Sequence, residues 1–180
     1  RLSRLIRGLG GTEAEIARHS ADEDFVLLDA GSMLEIGSAV YSPFSPTTVV
    51  ALGRDDLLPV SAAIASPGRA LMPWSPVHPR WNFLDNGDLV VGWTRRSRAG
   101  TIWSDHVEVP LAEEVEQYRV ELSADDGSVS ISLDSTVPHI TVSAAQIAPI
   151  LISNFSHLSA KVHQVGAYSL SEALILEIPL

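Results

Sequence analysis

The sequence contains no cysteine among its 180 residues. A disulfide framework, a thiolate metal site and a cysteine nucleophile are therefore excluded. Basic residues are also few, since 12 Lys and Arg oppose 22 Asp and Glu and give a formal net charge of −10. Nucleic acids and anionic membrane surfaces attract basic proteins, so this charge argues against both as partners.

Long apolar runs are missing as well. The longest, such as residues 25–28 and 48–52, have the length of a strand, and none approaches the roughly 18 residues of a membrane helix. We therefore expect no stable membrane insertion. No secretory signal is visible. Because the chain begins with Arg1 rather than Met, we expect it to be a segment of a longer protein.

Glycine and proline interrupt the chain at short intervals, and β-branched runs lie between them, which is typical of an all-β protein. One stretch has helical features. Thr12 and Glu15 have the spacing of a capping box and predict a short helix from about Glu13 to His19. Strands are predicted in this part of the chain at Leu2–Leu9, Phe25–Asp29, Met33–Tyr41 and Thr47–Gly53.

The pattern becomes regular after the predicted linker Ser66-Pro67-Gly68-Arg69. Asn86-Gly87 supplies the positive φ of a tight hairpin turn, and large apolar side chains recur at every second position. These runs are Trp81–Phe83, Leu89–Trp93, Tyr118–Leu122, Val129–Leu133, Ile140–Val142, Leu158–Gln164 and Leu174–Ile178. About seven short strands in about 110 residues are typical of an immunoglobulin-like sandwich.

These patterns predict a mainly β protein with two domains. Residues 1–66 are predicted to form a small mixed-β domain with one short helix. Residues 67–180 are predicted to form a seven-stranded antiparallel β-sandwich.

The sandwich region resembles a fibronectin type III domain. Gly87–Thr94 looks like its strand B with the inward Trp93, Tyr118–Val120 is similar to strand C, and Lys161–Gly166 with the later Ser171 resembles strand F and the loop into strand G. The resemblance implies that Trp93 and Tyr118 are buried neighbours. Ser169 stands where the family usually has glycine, so the F–G turn is expected to differ.

Nearly the whole chain also resembles a narrower family, the C-terminal region of the host-specificity or "megatron" tail-tip protein of gene transfer agents and related siphophages. The resemblance depends on the order and spacing of several short pieces. They are Arg4–Gly8 with Gly11–Glu13, Phe25–Asp29, Ser75–His78, Trp93–Arg98, Trp103, Val109–Leu111 with Glu113, Glu114, Glu116 and Tyr118, and Gln164–Gly166 with Ser169–Glu172.

This second resemblance implies a virion component at the distal tail, assembled in the host cytoplasm and carried on the extracellular particle. The chain would be a structural protein that decorates the hub of a tail tip or baseplate and mediates attachment of fibres or receptor-binding proteins. Its partners would be other tail-tip subunits, and upstream hub domains would make it a homotrimer. No enzymatic activity and no cofactor are implied.

The residues themselves indicate no catalytic, cofactor-binding or metal-binding site. None of the six histidines forms an i,i+4 pair, and no Gly-x-Ser-x-Gly sequence occurs. Asp125-Asp126 precede Gly127 in an evident turn, where carboxylates are usually solvated.

Three arginines in four positions, Arg95, Arg96 and Arg98, reverse the sign of this acidic chain. They are predicted to pair with Glu113, Glu114 and Glu116, to dock an acidic neighbouring subunit, or to do both. If the strand persists that far, alternation sends Arg96 and Arg98 to one side and Arg95 to the other. At least one arginine should then face the acidic stretch Glu113–Glu116, and another should be free for a partner. Together with Trp103 they are the predicted partner interface.

The alternative is a receptor- or glycan-binding module of a surface or carbohydrate-active protein. Trp74, Trp81 and Trp103 lie beside Pro, Arg or Gly in predicted loops, where aromatic rings are available to stack on sugars. Exposed aromatics lining one groove would favour this alternative.

Overall fold

The computed structural model describes residues 7–8, 12–27, 29, 31, 47–64, 68–99, 109–124, 127, 129–151 and 156–180. The chain forms two compact units, one made of residues 1–16 and 72–180 and the other of residues 17–71. The predicted domain limits, 1–66 and 67–180, concern independent folding and stay a prediction. Among the described residues, no helix has the length and apolar content needed to cross a membrane.

The predicted helix near the start is confirmed as a 3-10 helix, Glu13–Arg18, in which the Glu15 N–H donates to the Thr12 carbonyl over 3.0 Å. In the unit of residues 17–71, strands β1 (Thr47–Ala51) and β2 (Val60–Ile64) form an antiparallel hairpin. A short 3-10 helix, Arg69–Leu71, follows.

Two of the predicted early strands lie mainly or wholly outside the described residues, namely Leu2–Leu9 and Met33–Tyr41. The predicted strand Phe25–Asp29 is wrong in its described part. Residues 25–27 form no strand, and their apolar side chains are 65–75% exposed. An apolar run becomes a strand only when a neighbouring strand pairs with it, and the described part of the chain offers none here.

The other unit contains a seven-stranded antiparallel β-sandwich. Its strands are β3 (Val77–Phe83), β4 (Leu89–Thr94), β5 (Tyr118–Ala124), β6 (Ser130–Ser135), β7 (His139–Val142), β8 (His157–Gln164) and β9 (Leu174–Pro179). One sheet has the order β3-β4-β7 and the other the order β6-β5-β8-β9. This is the arrangement of a fibronectin type III domain, so the predicted fold class is confirmed.

The core lies between the two sheets and follows the predicted alternation. In β5 every second residue is buried, from Tyr118 to Ala124, and β8 repeats the pattern from Leu158 to Gln164. Trp93 and Tyr118 are 1% and 0% exposed, and their rings meet edge to face with centroids 5.0 Å apart. The prediction that these two aromatics are buried neighbours is confirmed.

One element was not predicted, the helix α1 (Ala144–Leu151) between β7 and β8. Ser143 and Gln146 form a reciprocal cap, in which the Gln146 Oε1 accepts the Ser143 N–H over 3.1 Å. Asp88, in the turn between β3 and β4, accepts the Ala144 N–H over 2.8 Å. Ile147 and Ile150 of α1 are fully buried, so the helix closes one end of the core.

Candidate functional site

The arginine cluster begins where β4 ends, at Thr94. The Arg95 side chain is only 12% exposed. Its Nη2 donates to the Val109 carbonyl over 2.7 Å, and its Nε lies 4.0 Å from the Glu116 Oε1. Arg95 therefore reaches across to the segment that leads into β5, at the end of the core beside Trp93 and Tyr118.

Tyr118 completes this end of the core. Its hydroxyl donates to the Glu116 Oε1 over 2.7 Å. Burial, followed by the adjacent Glu116 carboxylate, raises the pKa of Tyr118 well above its ordinary value, because both disfavour the phenolate. The phenol therefore stays protonated and serves as a hydrogen-bond donor.

Arg98 makes the least exposed ion pair of the cluster. Its Nε donates to the Glu113 Oε1 over 2.8 Å, and its Nη2 lies 3.5 Å from the Glu113 Oε2. The Glu113 side chain is 2% exposed and that of Arg98 is 26% exposed. Gly166 permits this arrangement, because a Cβ at that position would clash with Pro73 and lie 3.0 Å from the Glu113 Oε2.

Ser97 strengthens the same connection and was not singled out from the sequence. Its hydroxyl donates to the Pro110 carbonyl over 2.6 Å. Together with Arg95 and Arg98, it ties the segment after β4 to residues 109–113. A buried serine in a loop gives no signal in a single sequence, because its role depends on which carbonyl the fold places beside it.

Arg96 has its contacts outside the segment of residues 109–116. Its Nη2 lies 2.6 Å from the Glu13 Oε1, and its guanidinium stacks over the Trp74 ring, 4.9 Å from the centroid. Partial burial acts to raise the pKa of Glu13. The Glu13 carboxylate also accepts a hydrogen bond from its own backbone and contacts Arg96, and these two effects outweigh burial and hold the pKa below its ordinary value. Arg96 thus holds Glu13, the first residue of the 3-10 helix, against the sandwich.

The strand alternation predicted for the three arginines does not occur, although at least one of them faces the acidic segment as predicted. Arg95 and Arg98 both reach the acidic segment, at Glu116 and Glu113, and Arg96 pairs elsewhere. The reason is that β4 ends at Thr94, so the period-two rule no longer applies. All three arginines have carboxylate partners within the chain, and no ion pair with Glu114 is formed in the described part of the structure. A role of Arg95, Arg96 and Arg98 in binding a partner stays a prediction, and Trp103 lies outside the described residues.

The described histidines form local hydrogen bonds or lie on the surface. The His163 Nδ1 lies 2.7 Å from the Ser171 carbonyl, which identifies it as the protonated nitrogen, and the His19 Nδ1 lies 2.8 Å from the Glu23 Oε2. No cluster of three or more histidine and carboxylate side chains suited to a metal ion occurs in the described ranges. The predicted absence of catalysis and of a metal stays a prediction.

The tryptophans described here do not share a groove. Trp74 lies under Arg96. The prediction that Trp81 lies in a loop is wrong, because it belongs to β3, where it is half-exposed and packs edge to face against Phe83 with ring centroids 6.1 Å apart. A shallow depression of about 470 Å³ lies on the outer face of the four-stranded sheet. Its described lining residues are Ser123, Ala124, Gly127, His157, Ser159, Lys161 and Glu177, and none of them is Trp, Tyr or Phe.

The F–G turn adopts a tight form. The Gly166 N–H donates to the Ser169 carbonyl over 3.0 Å, and Val165 pairs with Leu170 in an isolated bridge. Ser171, which is 4% exposed, accepts the Gln164 N–H at its hydroxyl over 2.9 Å. The turn therefore closes with Ser169 at the position where the family usually has glycine.

No protein-family model and no curated protein matches the chain in sequence. Among solved structures, it is similar to domains d3–d4 of the rat CD45 extracellular region, with 10% identity and a TM-score of 0.44 over 90% of this chain and 78% of that one. A two-domain fibronectin type III segment of chicken tenascin has 14% identity and a TM-score of 0.41 over 74% of this chain and 62% of that one. The FN5 domain of Drosophila Lar has 10% identity and a TM-score of 0.36 over 60% of this chain and 98% of that one. These likenesses concern the fold alone.

Proposed function

We propose that the chain is a non-catalytic structural component of a phage-like tail tip or baseplate. In this role it decorates the hub and holds fibres or host-contacting proteins, with three copies around the tail axis. The proposal derives from the order of the short sequence pieces that resemble the tail-tip family of gene transfer agents and siphophages.

One structural observation supports the proposal most directly. Three of those pieces are far apart in sequence, yet they lie against one another in the fold. Arg98 belongs to the first, Glu113 to the second and Gly166 to the third, and all three meet at one buried ion pair. Residues that share one packing arrangement are expected to recur together in a family, since changing one disturbs the others.

The chemistry of the site is consistent with assembly rather than catalysis. Arg95, Arg96 and Arg98 each have a carboxylate partner within the chain, and Tyr118 stays protonated because its pKa is raised. The glycan-binding alternative has less support. Arg96 stacks on the Trp74 ring, and the described lining of the depression on the four-stranded sheet contains no Trp, Tyr or Phe ring on which a sugar could stack.

Location in the particle is the decisive test. An antibody raised against the sandwich should label purified tailed particles at the distal end of the tail. A map of the same particles should show three copies of a seven-stranded sandwich around the tail axis. Particles without label, a single copy, or copies away from the tail tip would contradict the proposal.

A further inference from the structure

The sandwich has four strands at the edges of its sheets, and three of them are protected against pairing with another strand. β3 contains Pro79 and an irregular register between Val77 and Arg80. β7 has only four residues and leads through Ser143 into α1. β9 ends at Pro179 and lies against β3. Proline, irregularity, short length and covering are the usual devices that block strand addition.

In the described ranges, the fourth edge strand, β6, has none of these devices. Its six residues, Ser130–Ser135, include no proline, lysine or arginine, and its register with β5 runs without interruption. Its one charge, Asp134, is paired with Arg119 on the outer face, with the Arg119 Nε 3.2 Å from the Asp134 Oδ1. In the part of the chain that the structure describes, β6 pairs only with β5.

The hydrogen-bonding pattern identifies which backbone groups of β6 face outward. The Ala124 N–H donates to the Val129 carbonyl over 3.1 Å. Bonded and non-bonded pairs alternate along an antiparallel ladder, so residues 131, 133 and 135 bond to β5. The backbone N–H and C=O groups of Ser130, Ser132 and Asp134 therefore point away from β5, toward the free edge.

The side chains of β6 define what would fit beside it. Ile131 and Leu133 point inward, are only partly buried and pack against the core, so an added strand with apolar inward residues would cover them. Ser130, Ser132 and Asp134 are exposed on the outer face. A basic residue opposite Asp134 would suit both this carboxylate and the net charge of −10.

We propose that the free edge of β6 is the attachment surface of this domain, and that it binds an extended strand of a partner protein. The partner strand alternates apolar residues with basic ones and adds to the sheet β6-β5-β8-β9. Main-chain hydrogen bonds to residues 130, 132 and 134 supply affinity, and the side chains of Ile131, Leu133 and Asp134 supply specificity. A second copy of this chain is disfavoured, because two chains of this charge repel one another. The inference rests on the proposed attachment role.

The test uses the full chain, labelled with nitrogen-15, and a synthetic nine-residue peptide in which lysine and valine alternate. We expect saturable shifts of the β6 amides and at least tenfold slower hydrogen exchange at the amides of residues 130, 132 and 134. A peptide of the same composition, in which the lysines form one block and the valines another, should bind at least tenfold more weakly. A peptide with glutamate in place of lysine should also bind at least tenfold more weakly.

Two proline variants make the test specific to the edge. In Ser132→Pro the lost N–H points to the free edge, so the fold should persist while peptide affinity falls at least tenfold. Ser132→Ala keeps that N–H and should bind like the parent. In Leu133→Pro the lost N–H belongs to the ladder with β5, so the sandwich itself should be disrupted.

Three results would overturn the inference. They are binding unchanged in Ser132→Pro, peptide-induced shifts confined to β9 or the outer face, and no saturation at millimolar peptide. Protection of β6 that rises with protein concentration in the absence of peptide would identify a second copy as the occupant and refute the basic partner. Failure of the tail-tip role is a separate result, since particles without the chain at the tail would leave the peptide data unaffected. A tail-tip map with the β6 edge empty would reject this inference alone.

Discussion

Replacing Arg98 with alanine should destabilise the sandwich by more than the loss of an ordinary surface charge. Its partner Glu113 has a side chain that is only 2% exposed, whereas Arg98 is 26% exposed. Removing one partner of a fully buried pair costs roughly 3–5 kcal/mol, because a buried charge loses its compensation. An exposed pair contributes about 0–1 kcal/mol. Because Arg98 keeps some contact with water, we expect a cost of about 2–3 kcal/mol.

The two partners should differ in what their removal costs. Arg98→Ala leaves a buried carboxylate, whereas Glu113→Gln leaves a guanidinium that water can reach. We therefore expect Glu113→Gln to cost only about 1 kcal/mol. Replacing the pair with Arg98→Met and Glu113→Leu leaves no buried charge, so the double variant should be more stable than Arg98→Ala alone.

Thermal and urea unfolding of the full chain, followed by circular dichroism, measures these differences. A chain of this size loses about 2–4 °C of Tm for each kcal/mol, so Arg98→Ala should melt about 4–12 °C below the parent. The matched control is Arg119→Ala, because Arg119 and its partner Asp134 are 41% and 50% exposed. The control should melt close to the parent. Equal effects of Arg98→Ala and Arg119→Ala, or a larger effect of Glu113→Gln, would refute the reasoning.

Three further predictions concern the core and its closure. Trp93→Ala should cost about 3–5 kcal/mol, as expected for a fully buried large aromatic, and a Tm within two degrees of the parent would contradict the packing described here. Because the folded pKa of Tyr118 is raised, the unfolded chain releases this proton first, so stability should fall as pH rises above the ordinary tyrosine pKa of about 10. In Tyr118→Phe, the free energy of unfolding should fall less steeply over the same pH range. If the urea midpoints of parent and variant change identically with pH, Tyr118 is not the cause. Asp88→Ala should cost about 1 kcal/mol by removing the acceptor of the Ala144 N–H. Asp88→Asn keeps an acceptor and should be close to the parent. The measurement is circular dichroism, in which Asp88→Ala should lose helical signal at low urea.

Much of the sandwich was predictable because its cause is local. A strand buried on one face must place apolar side chains at every second position, and Leu89, Val91 and Trp93 do so without reference to any other part of the chain. The same rule located β5, β6, β7, β8 and β9. The Asn86-Gly87 turn was likewise recognisable, since Gly87 has the positive φ that the turn requires.

The limits of local pattern appear where strands end or lack a neighbour. Residues 25–27 are apolar, yet they form no strand. The helix α1 is short and contains Pro149, so propensity does not predict it. It persists because Asp88, 56 residues earlier, caps it and because Ile147 and Ile150 fill the end of the core. Such support comes from tertiary packing, which supplies most of the stability of short helices.

The arginine cluster shows the same division. The sequence alone determined that Arg95, Arg96 and Arg98 are the concentrated positive charge of an acidic chain, and it left open whether they pair within the chain or with an acidic neighbour. Only the tertiary structure decided that each has its own partner, because β4 ends one residue before Arg95 and the backbone then turns. The unprotected edge of β6 was also decided by the fold, since an edge exists only once the order of strands in a sheet is set.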